Sequence, residues 1–352
     1  MTIRDVEVIA PNFKRRLSGV TSTIVQLLPL QARDIGIATM GPDVLPDSVP
    51  RLGYGALLAL WQRSTRNKRR IWHARRNTEM LAGVVLRDIL RMKLRLLFTS
   101  AAQRRHTAWT RFLIRRMDAV IATSERSAAF LDVPATVILH GIDLDRFGPE
   151  SPQPAEAVVD EFEGRRVVGC AGRIRHQKGT DVFVDAMIAL LPSRPGWVAV
   201  MTGRTTAEHS AFEAELRDRI ENAGLSDRIR FLGEVDDVAP WFRRFDLYVA
   251  PPRNEGFGLT PLEAMASGTP VVASDAGAFA EMIVDGTTGR VVPAGDAAAL
   301  AAAIAPFLDD DALRRRAGEA ALAHVRAAFP LAREADQIGA VYRSLWAIDD
   351  RD

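Results

Sequence analysis

The sequence predicts an α/β fold made of two doubly wound domains, each with a parallel sheet. The chain has 352 residues, which is more than one compact domain usually holds. Short apolar, β-prone runs alternate with helix-like segments along it, as they do in parallel-sheet proteins. A stretch rich in Pro and polar residues, 147–154, interrupts the alternation as a domain linker would. We therefore predict domains at 1–150 and 151–330, and a C-terminal helix in 331–352.

The first 150 residues begin with a strand and keep alternating up to the linker. Because helices connect the successive strands, we expect the strands to lie parallel in one sheet. The predicted strands are 6–10, 35–39, 70–73, 94–99, 119–123 and 136–139, and the predicted helices lie at about 21–30, 57–65, 78–92 and 109–116.

The second half restarts the same pattern with the apolar run 166–172. Its most legible unit is a strand at 247–250 that two prolines end, then a helix from about Thr260, then a strand at 271–274. Such a unit places the intervening loop at the carboxyl end of the strands, where doubly wound sheets bind ligands. Two further helices are predicted at 297–305, which is rich in Ala, and at 331–346, which has amphipathic spacing.

The composition is that of a globular protein that uses no disulfide. Hydrophobic residues make up 47% of the chain, which is normal for a soluble domain. The single cysteine, Cys170, excludes an intramolecular disulfide and offers no metal framework. No apolar run reaches the roughly 20 residues of a membrane span, and charged residues in the first strand-like run argue against a signal peptide. We therefore expect a cytosolic protein.

The net charge of +2 hides an asymmetry between the two halves. Residues 1–150 hold 24 Lys and Arg against 13 Asp and Glu, a net charge of +11, and the remainder has −9. Within 63–116, 16 basic side chains face two acidic ones, a net charge of +14. A solvated helix face is one explanation, but an anionic membrane or acceptor better explains charge of one sign. Two stripes have helical spacing: Arg87, Arg91 and Arg95, and Arg104, Arg111 and Arg115.

Two carboxylates stand eight residues apart in the segment 254–263, just after the strand at 247–250. Glu255 lies in a loop beside two glycines and ahead of a helix N-terminus that favours anions. A carboxylate there suits the hydroxyl groups that accompany an anion, as in a sugar diphosphate. Glu263 has a second explanation, because Thr260 fits an N-cap, Pro261 the first helical residue and Glu263 the partner of a capping box.

Two cations flank the loop that follows the first strand of the second half. Arg173 and Lys178 lie in the glycine-bounded segment 172–179. A forked guanidinium and an ammonium together can neutralise a diphosphate. A solvated basic loop is the alternative, but the Glu255 loop falls at the same end of the same predicted sheet. The glycine spacing matches neither a Walker A loop nor a dinucleotide fingerprint.

The segment 254–263 resembles the E-x7-E signature of retaining, family 4 glycosyltransferases of the GT-B fold, and the likeness continues through 267–273 and 285–289. The resemblance implies two Rossmann-like domains that face a cleft, with the terminal helix packed back on the first domain. It also implies a nucleotide-sugar donor and retention of configuration. Departure of the nucleoside diphosphate would be assisted by Arg173 and Lys178, with no metal and no other cofactor.

The resemblance also assigns the donor contacts. Glu255 would contact the hydroxyls of the donor sugar, and Glu263 those of the ribose. The segment 17–20 occupies the place of the family's glycine-rich loop, which faces the donor diphosphate, and Gly19 is its one glycine. The other implied donor-binding residues are Gly256, Phe257, Gly258 and Leu259.

Histidines of the first half are candidates for acid–base chemistry. Many family members have a histidine directly after the fourth strand, where this chain has Thr99 and Ser100. His106 follows shortly and completes the predicted catalytic set with Glu255, Arg173 and Lys178. His73 ends the preceding strand and is assigned to the acceptor, although a structural role is the alternative for both histidines.

A narrower resemblance involves the segments 71–80 and 98–107. They look like those of lipopolysaccharide core mannosyltransferases, which move mannose from GDP-mannose to the inner-core Kdo of a lipid A precursor. This likeness implies an anionic glycolipid acceptor and peripheral association with the cytoplasmic face of the inner membrane. The predicted acceptor-binding residues are His73, Arg75, Arg76, Arg104 and Arg105.

Three other functions remain open. One is a UDP-sugar-dependent transferase that acts on another glycolipid or on a capsule acceptor. Another is a protein that binds nucleotide sugars without turnover, against which Glu255, Arg173 and Lys178 argue. The last is a nucleic-acid-binding protein, but the basic segment contains no recognised nucleic-acid motif, so we expect no such partner.

Overall fold

The computed structural model describes residues 2–14, 19–42, 48–151 and 162–349. The chain forms two compact α/β units, which we call unit 1 (residues 1–141 and 331–352) and unit 2 (residues 142–330). Each unit is built on one parallel sheet with helices around it. The predicted pair of doubly wound α/β domains is therefore confirmed.

Unit 1 has a seven-stranded parallel sheet. In chain order its strands are β1 (Val8–Pro11), β2 (Ile37–Met40), β3 (Arg51–Leu52), β4 (Arg70–Ala74), β5 (Leu94–Ser100), β6 (Ala119–Ala122) and β7 (Thr136–Val137). Their order across the sheet is β3-β2-β1-β4-β5-β6-β7. The order reverses between β1 and β4, and this switch point is where such sheets bind ligands.

The helices of unit 1 come from both ends of the chain. They are α1 (Gly19–Gln31), α2 (Asn77–Val84), α3 (Ala108–Ile114), α4 (Glu125–Ala128) and the C-terminal helix (Leu331–Asp349). The C-terminal helix packs against α1. Its Tyr342 and Leu345 are buried in the same core as Ile24 and Leu28 of α1. Apolar burial thus joins the last helix to the first domain, as the GT-B resemblance implies.

Unit 2 repeats the topology of unit 1 with one strand fewer. Its parallel strands are β8 (Arg166–Ala171), β9 (Trp197–Thr202), β10 (Ile229–Gly233), β11 (Leu247–Ala250), β12 (Val271–Ser274) and β13 (Gly289–Val292). Their order across the sheet is β10-β9-β8-β11-β12-β13. The switch point therefore lies between β8 and β11, whose residues Val168 and Leu247 are paired.

Eight helices surround this sheet in the described part of unit 2. They are α5 (Leu144–Phe147), α6 (Thr180–Leu190), α7 (Ser210–Asn222), α8 (Ala239–Arg244), α9 (Thr260–Ala266), α10 (Phe279–Met282), α11 (Ala297–Asp309) and α12 (Asp311–Ala328). α6 and α11 pack together over the sheet, and their buried Phe183 and Ile304 belong to one core. Across the described segments of both units, no helix combines the length and apolarity needed to cross a membrane.

The two units divide at Gly141 and not at residue 150 as the composition of the linker predicts. The reason is that α5 packs within unit 2. The ring of Phe147 lies 6.1 Å from that of Phe242, and the Phe147 carbonyl accepts a 2.8 Å hydrogen bond from Ser267 Oγ. The two ends of unit 2 are adjacent, because Ile142 N donates to Phe329 O at 2.8 Å.

Two predicted helices differ from the structure in a way that changes the surface. The helix predicted at 57–65 is a 3-10 helix, Tyr54–Trp61. The helix predicted at 78–92 is α2 followed by a π-helical turn, Val85–Ile89, and the chain leaves it at Arg91 with φ +54°. Arg95 consequently lies in β5, so the predicted stripe of Arg87, Arg91 and Arg95 does not occupy one helix face.

Candidate active site

Two loops meet at the switch point of unit 2. One follows β8 and contains Arg173 and Lys178, and the other follows β11 and contains Glu255. Together they line a recess whose wall also includes Tyr248 and Thr260. The structure therefore brings together the three residues that sequence reasoning placed around a donor diphosphate and sugar.

An ion pair joins the two loops at the centre of this recess. Lys178 Nζ donates to Glu255 Oε2, and both side chains are about one-quarter exposed. The loops can approach because Gly179 follows Lys178 in the left-handed region, at φ 67°. A Cβ atom there would overlap the carbonyl oxygen of Pro251. An ammonium and a carboxylate in one polar recess can bind a phosphate and a hydroxyl side by side.

The Glu255 carboxylate is held by its own loop. The N–H of Gly256 donates to Glu255 Oε1 at 3.0 Å. Gly258 has φ 85°, and a Cβ atom on it would collide with the Phe279 ring and with Cγ of Glu255. Glycine is required at this position on steric grounds, because it leaves room for the carboxylate and for the ring behind it.

A second ion pair, which sequence reasoning missed, clamps the same two loops. Arg253 binds Asp181 in a bidentate manner, with Nη1–Oδ1 and Nη2–Oδ2 distances of 2.7 Å. Arg253 also donates to the backbone of the first loop, from Nη1 to His176 O at 2.8 Å and from its N–H to Gln177 O at 2.9 Å. The pKa of Asp181 is lowered because Arg253 outweighs the effect of burial. No local pattern reveals this pair, since its members are 72 residues apart.

Glu263 lies in α9, beside this recess. The expected capping box is wrong, because α9 begins at Thr260 with Leu259 at the N-cap, and no side chain caps the helix there. Thr260 instead lines the recess together with Tyr248, whose Oη donates to Ala171 O at 3.3 Å. Burial raises the pKa of Glu263 to about 7, while the positive charge of Arg146 opposes this shift. Glu263 is therefore a buried carboxyl group that does not cap its helix.

The other predicted donor contacts lie around the same loops. Arg173 has an exposed side chain just beyond β8. Phe257 is buried, and its carbonyl oxygen accepts a 3.1 Å hydrogen bond from Ala278 N, so that backbone oxygen is engaged within the fold. In unit 1, Gly19 is the first residue of α1, whereas Leu17 and Ser18 lie outside the described residues.

His73 is a structural residue of unit 1. It is fully buried at the end of β4, with its Nδ1 2.7 Å from Tyr342 Oη and its Nε2 2.7 Å from Thr99 Oγ1. Burial, with the nearby charge of Arg75, lowers the pKa of His73 well below its ordinary value. Both ring nitrogens are therefore occupied and the ring is neutral, which argues against the predicted contact with an acceptor.

Arg75 and Arg76 follow β4 at the switch point of unit 1. Arg76 Nη1 donates to Glu79 Oε1 at 2.9 Å and to Asn12 Oδ1 at 2.8 Å, so much of its charge is offset by a buried carboxylate. Arg75 differs, because its Nη1 is buried and has no hydrogen-bond partner among the described residues. Burial also lowers the pKa of Arg75. Of the two, Arg75 is better suited to receive an anion.

The remaining candidates in unit 1 lie in the loop between β5 and α3. Arg104 and Arg105 are exposed, and His106 is partly buried with Nε2 3.5 Å from Ser100 Oγ. Partial burial and the charge of Arg104 lower the pKa of His106. His106 is therefore neutral at pH 7, and a neutral imidazole is the form that can accept a proton.

Four aspartates of unit 2 that stand close to other acidic residues in the sequence have structural partners. Asp143 caps α5 and Asp310 caps α12. Asp309 forms a bidentate pair with Arg194, and Asp311 pairs with Arg314. Within the described ranges, no three His, Cys, Asp or Glu side chains cluster as ligands of a metal ion would.

Two structural features define the class of this protein. Each unit has a doubly wound parallel sheet, and the switch point of unit 2 has a recess that holds Arg173, Lys178 and Glu255. These two features are those of a GT-B glycosyltransferase. A solved structure, Anabaena Alr3699/HepE in complex with UDP and glucose, has the same fold, with a TM-score of 0.80 at 20% identity over 96% of this chain and 100% of that one. Residues 154–324 match the family model for glycosyl transferases group 1.

Two curated relatives match almost the full length. The lipopolysaccharide core biosynthesis mannosyltransferase LpcC of Rhizobium leguminosarum bv. viciae is 63% identical over 97% of this chain and 97% of its own length. The mannosyltransferase LpsB of Rhizobium meliloti (strain 1021), which bears the same description, is 57% identical over 97% and 99%. The chain belongs to this family of group 1 glycosyltransferases, and it is a mannosyltransferase.

Proposed function

We propose that this enzyme transfers mannose from GDP-mannose to the inner-core Kdo of a lipid A precursor during synthesis of the lipopolysaccharide core. The observation that carries the proposal is the recess in which Arg173, Lys178 and Glu255 converge. The descriptions of the two full-length relatives support the choice of mannose and of the lipopolysaccharide core.

In the proposed donor complex, Lys178 and Arg173 bind the two phosphates of GDP-mannose. Glu255, which is bonded to Lys178 in the free site, accepts hydrogen bonds from the mannose hydroxyls. Glu263 accepts hydrogen bonds from the ribose as a carboxylate. Because its pKa is about 7 in the free protein, binding of hydroxyl donors stabilises the ionised form and favours loss of the proton.

Transfer is proposed to retain the configuration of the mannose anomeric carbon without a metal ion. The bond to the leaving phosphate breaks as negative charge grows on the diphosphate. Arg173 and Lys178 are preorganised to stabilise that charge, and such electrostatic stabilisation is often the largest catalytic term. The Arg253–Asp181 pair holds the loop of Lys178 against the loop of Glu255.

The acceptor is proposed to bind unit 1 through cationic groups at the carboxyl ends of its strands. Arg75 offers a buried guanidinium nitrogen without a partner among the described residues. Arg104 and Arg105 are exposed after β5, the strand that pairs with β4. A Kdo carboxylate and lipid A phosphates suit these groups. The net charge of +14 in residues 63–116 further supports work at the cytoplasmic face of an anionic membrane.

A thermal-shift panel with GDP-, UDP- and ADP-sugars, with and without a chelator, tests the donor. We expect selective stabilisation by GDP-mannose that survives chelation, because a ligand that binds only the folded state raises its stability by mass action. The Arg204→Ala variant, which removes an exposed arginine of unit 2 outside the recess, is the control for Lys178→Ala. Stabilisation by UDP-sugars alone would overturn the choice of GDP-mannose.

Product analysis tests the rest of the proposed reaction. With a Kdo-bearing lipid A precursor and GDP-mannose, we expect one α-linked mannose on Kdo, which NMR of the anomeric proton identifies. Donor binding without any transfer to this acceptor would contradict the acceptor assignment. An inverted anomeric linkage would contradict the retaining mechanism.

A further inference from the structure

We propose that unit 1 inserts a defined apolar patch into the surface of an anionic lipid bilayer. The patch consists of six side chains: Leu58, Trp61, Ile89, Leu90, Trp109 and Phe112. This inference rests on the proposed membrane location and names the surface that makes contact. It differs from attraction by basic charge alone, since insertion of apolar side chains persists at high salt.

The distribution of exposed apolar side chains is the first evidence. The described chain exposes ten large hydrophobic side chains, and eight of them lie between Tyr54 and Phe112. Leu58 is 72% exposed and Ile89 69%. Single exposed hydrophobic residues need no explanation, but a concentration of them in one segment marks an interaction surface.

Contacts within unit 1 connect the three segments that bear the patch. Leu58 and Trp61 share an edge of the 3-10 helix, which has three residues per turn. Trp61 Nε1 donates to Leu90 O at 2.8 Å, which joins this helix to the turn that bears Ile89. From there, Arg116 connects to α3, because it lies 3.5 Å from the Asp88 carboxylate and stacks over the Phe112 ring at 5.6 Å.

The patch is ordered by polar contacts beneath it. The buried guanidinium of Arg70 donates to Val6 O at 2.9 Å and to the carbonyl of Gln62, which fixes the end of the 3-10 helix. Arg87 donates to Arg116 O at 2.8 Å and so holds the end of α3. Hydrogen bonds of the folded chain therefore hold the segments that bear the patch in place.

Polar groups within the patch already have hydrogen-bond partners, which suits a bilayer interface. The one polar atom of the Trp61 side chain is already bonded to Leu90 O, so its half-exposed ring can leave water without losing a hydrogen bond. The backbone N–H of Leu90 donates to Val85 O at 3.0 Å, so the N–H and the carbonyl of Leu90 both have hydrogen-bond partners. On α3, Trp109 stacks on Phe112 with ring centroids 5.6 Å apart. Tryptophan is enriched at membrane interfaces for this combination of apolar ring and polar edge.

The charge around the patch identifies a bilayer with anionic headgroups as its occupant. Arg63, Arg91 and Lys93 are exposed beside the 3-10 helix and the π-helical turn. Arg111 of α3 and Arg115, which directly follows α3, are exposed, and both lie near the single carboxylate of Asp132. A cationic rim around aromatic and aliphatic side chains complements lipid phosphates around an acyl core.

Vesicle sedimentation of the full chain tests the proposal. The vesicles are phosphatidylcholine alone, or with about 30 mol % phosphatidylglycerol, in low salt and in about 0.5 M NaCl. We expect the variant Ile89→Ser/Trp109→Ser to lower the partition coefficient by at least about tenfold at both salt concentrations. The variant Arg63→Gln/Lys93→Gln should lower it only with phosphatidylglycerol in low salt.

Val284→Ser is the matched control, because it removes an apolar side chain that is 45% exposed in unit 2. Brominated lipids should quench tryptophan fluorescence in the wild type and less in Trp61→Phe and Trp109→Phe. Equal partitioning of Ile89→Ser/Trp109→Ser and Val284→Ser would overturn the proposal. So would a dimer of the wild type that the double variant dissociates without any loss of vesicle binding, since the patch would then bind a second copy.

A thermal-shift measurement with GDP-mannose on the same variants separates this proposal from the proposed function. The patch variants should keep the wild-type shift, which also shows that they are folded. Failure of the vesicle experiment with a normal shift rejects the patch alone, whereas absence of a shift in the wild type rejects the donor assignment.

Discussion

Lys178 and Glu255 are 77 residues apart in the chain and form an ion pair in the free enzyme. Each satisfies the other's charge until a ligand with a phosphate and hydroxyls offers better partners. Sequence reasoning named both residues because each stands in a glycine-containing loop after an apolar strand, and because the two loops fall at the same end of one predicted sheet. Their ion pair forms only in the tertiary structure, because it depends on which strands are neighbours in the sheet.

The substitutions Lys178→Ala and Glu255→Ala should each lower kcat at saturating donor by at least about 10²-fold, the usual loss for one electrostatic stabiliser. Arg204→Ala and Glu208→Ala, which remove charges outside the recess, should remain near the wild-type rate. Steady-state kinetics with a Kdo-bearing acceptor provides the measurement. Near-wild-type turnover in either recess variant would contradict the assigned roles.

Glu263 predicts a pH dependence of stability for the ligand-free enzyme. Its pKa is about 7 in the folded chain against 4.5 for the ordinary side chain, so the folded state binds the proton more tightly. Stability is therefore lost as pH rises from about 4.5 through 7. Glu263→Gln removes this loss and should be more stable than the wild type at pH 8, by on the order of 1–3 kcal/mol, and nearly equal at pH 4.5.

Urea unfolding between pH 4.5 and 8 measures that difference. Glu319→Gln, an exposed substitution on α12, should leave the pH profile unchanged. If the Glu263→Gln and wild-type profiles run parallel, the carboxyl is not destabilised by burial.

Among the secondary-structure elements, strands follow the sequence more closely than helix ends do. Strand cores such as 247–250 are apolar runs bounded by breakers, and the structure has the same four residues in β11. Helix ends depend on contacts that the local sequence does not contain. Thr260 resembles a cap, but α9 begins at that residue and no side chain caps it, and the helix predicted through Met92 is cut short by the π-helical turn.

The same limit applies to the site. The Arg253–Asp181 clamp and the burial of His73 both arise from elements that meet only after the sheets form. Sequence reasoning therefore found the groups proposed to touch the donor and missed the group that positions their loops. It also assigned a ligand contact to a histidine that the C-terminal helix covers.

The clamp should act as one unit in catalysis. Arg253→Ala and Asp181→Ala should each lower kcat/KM for the donor by roughly tenfold, and the double variant should lose no more than either single variant, because neighbouring partners are not additive. Arg217→Ala, which breaks an exposed pair with Glu213, is the control. Additive losses, or equal effects on activity and on Tm, would indicate separate or merely structural roles.

The C-terminal helix should depend on one buried hydrogen bond. Tyr342→Phe leaves Nδ1 of His73 without its 2.7 Å partner and should lower the free energy of unfolding by about 1–3 kcal/mol. Ser344→Ala, on the exposed side of the same helix, should change it little. Denaturant unfolding checks both, and equal stability of the two variants would show that the Tyr342–His73 bond contributes nothing measurable.

For the whole molecule, unit 1 and unit 2 share one strand order and place their candidate groups at equivalent switch points. Composition and periodicity predict this two-domain plan because it follows from local alternation. They do not predict that unit 1 is discontinuous in sequence. That property depends on the burial of Tyr342 and Leu345 in the first domain.

Unit 1 is assembled from both ends of the chain, and this has a consequence for biosynthesis. On the ribosome, residues 142–330 emerge before the last helix, and they contain all of unit 2, whose ends meet at Ile142 and Phe329 in the folded structure. The core around Ile24 and Leu28 must wait for the final helix. The nascent N-terminal segment therefore remains without this packing partner until residues 331–349 have been synthesised, so unit 2 can reach its native state first.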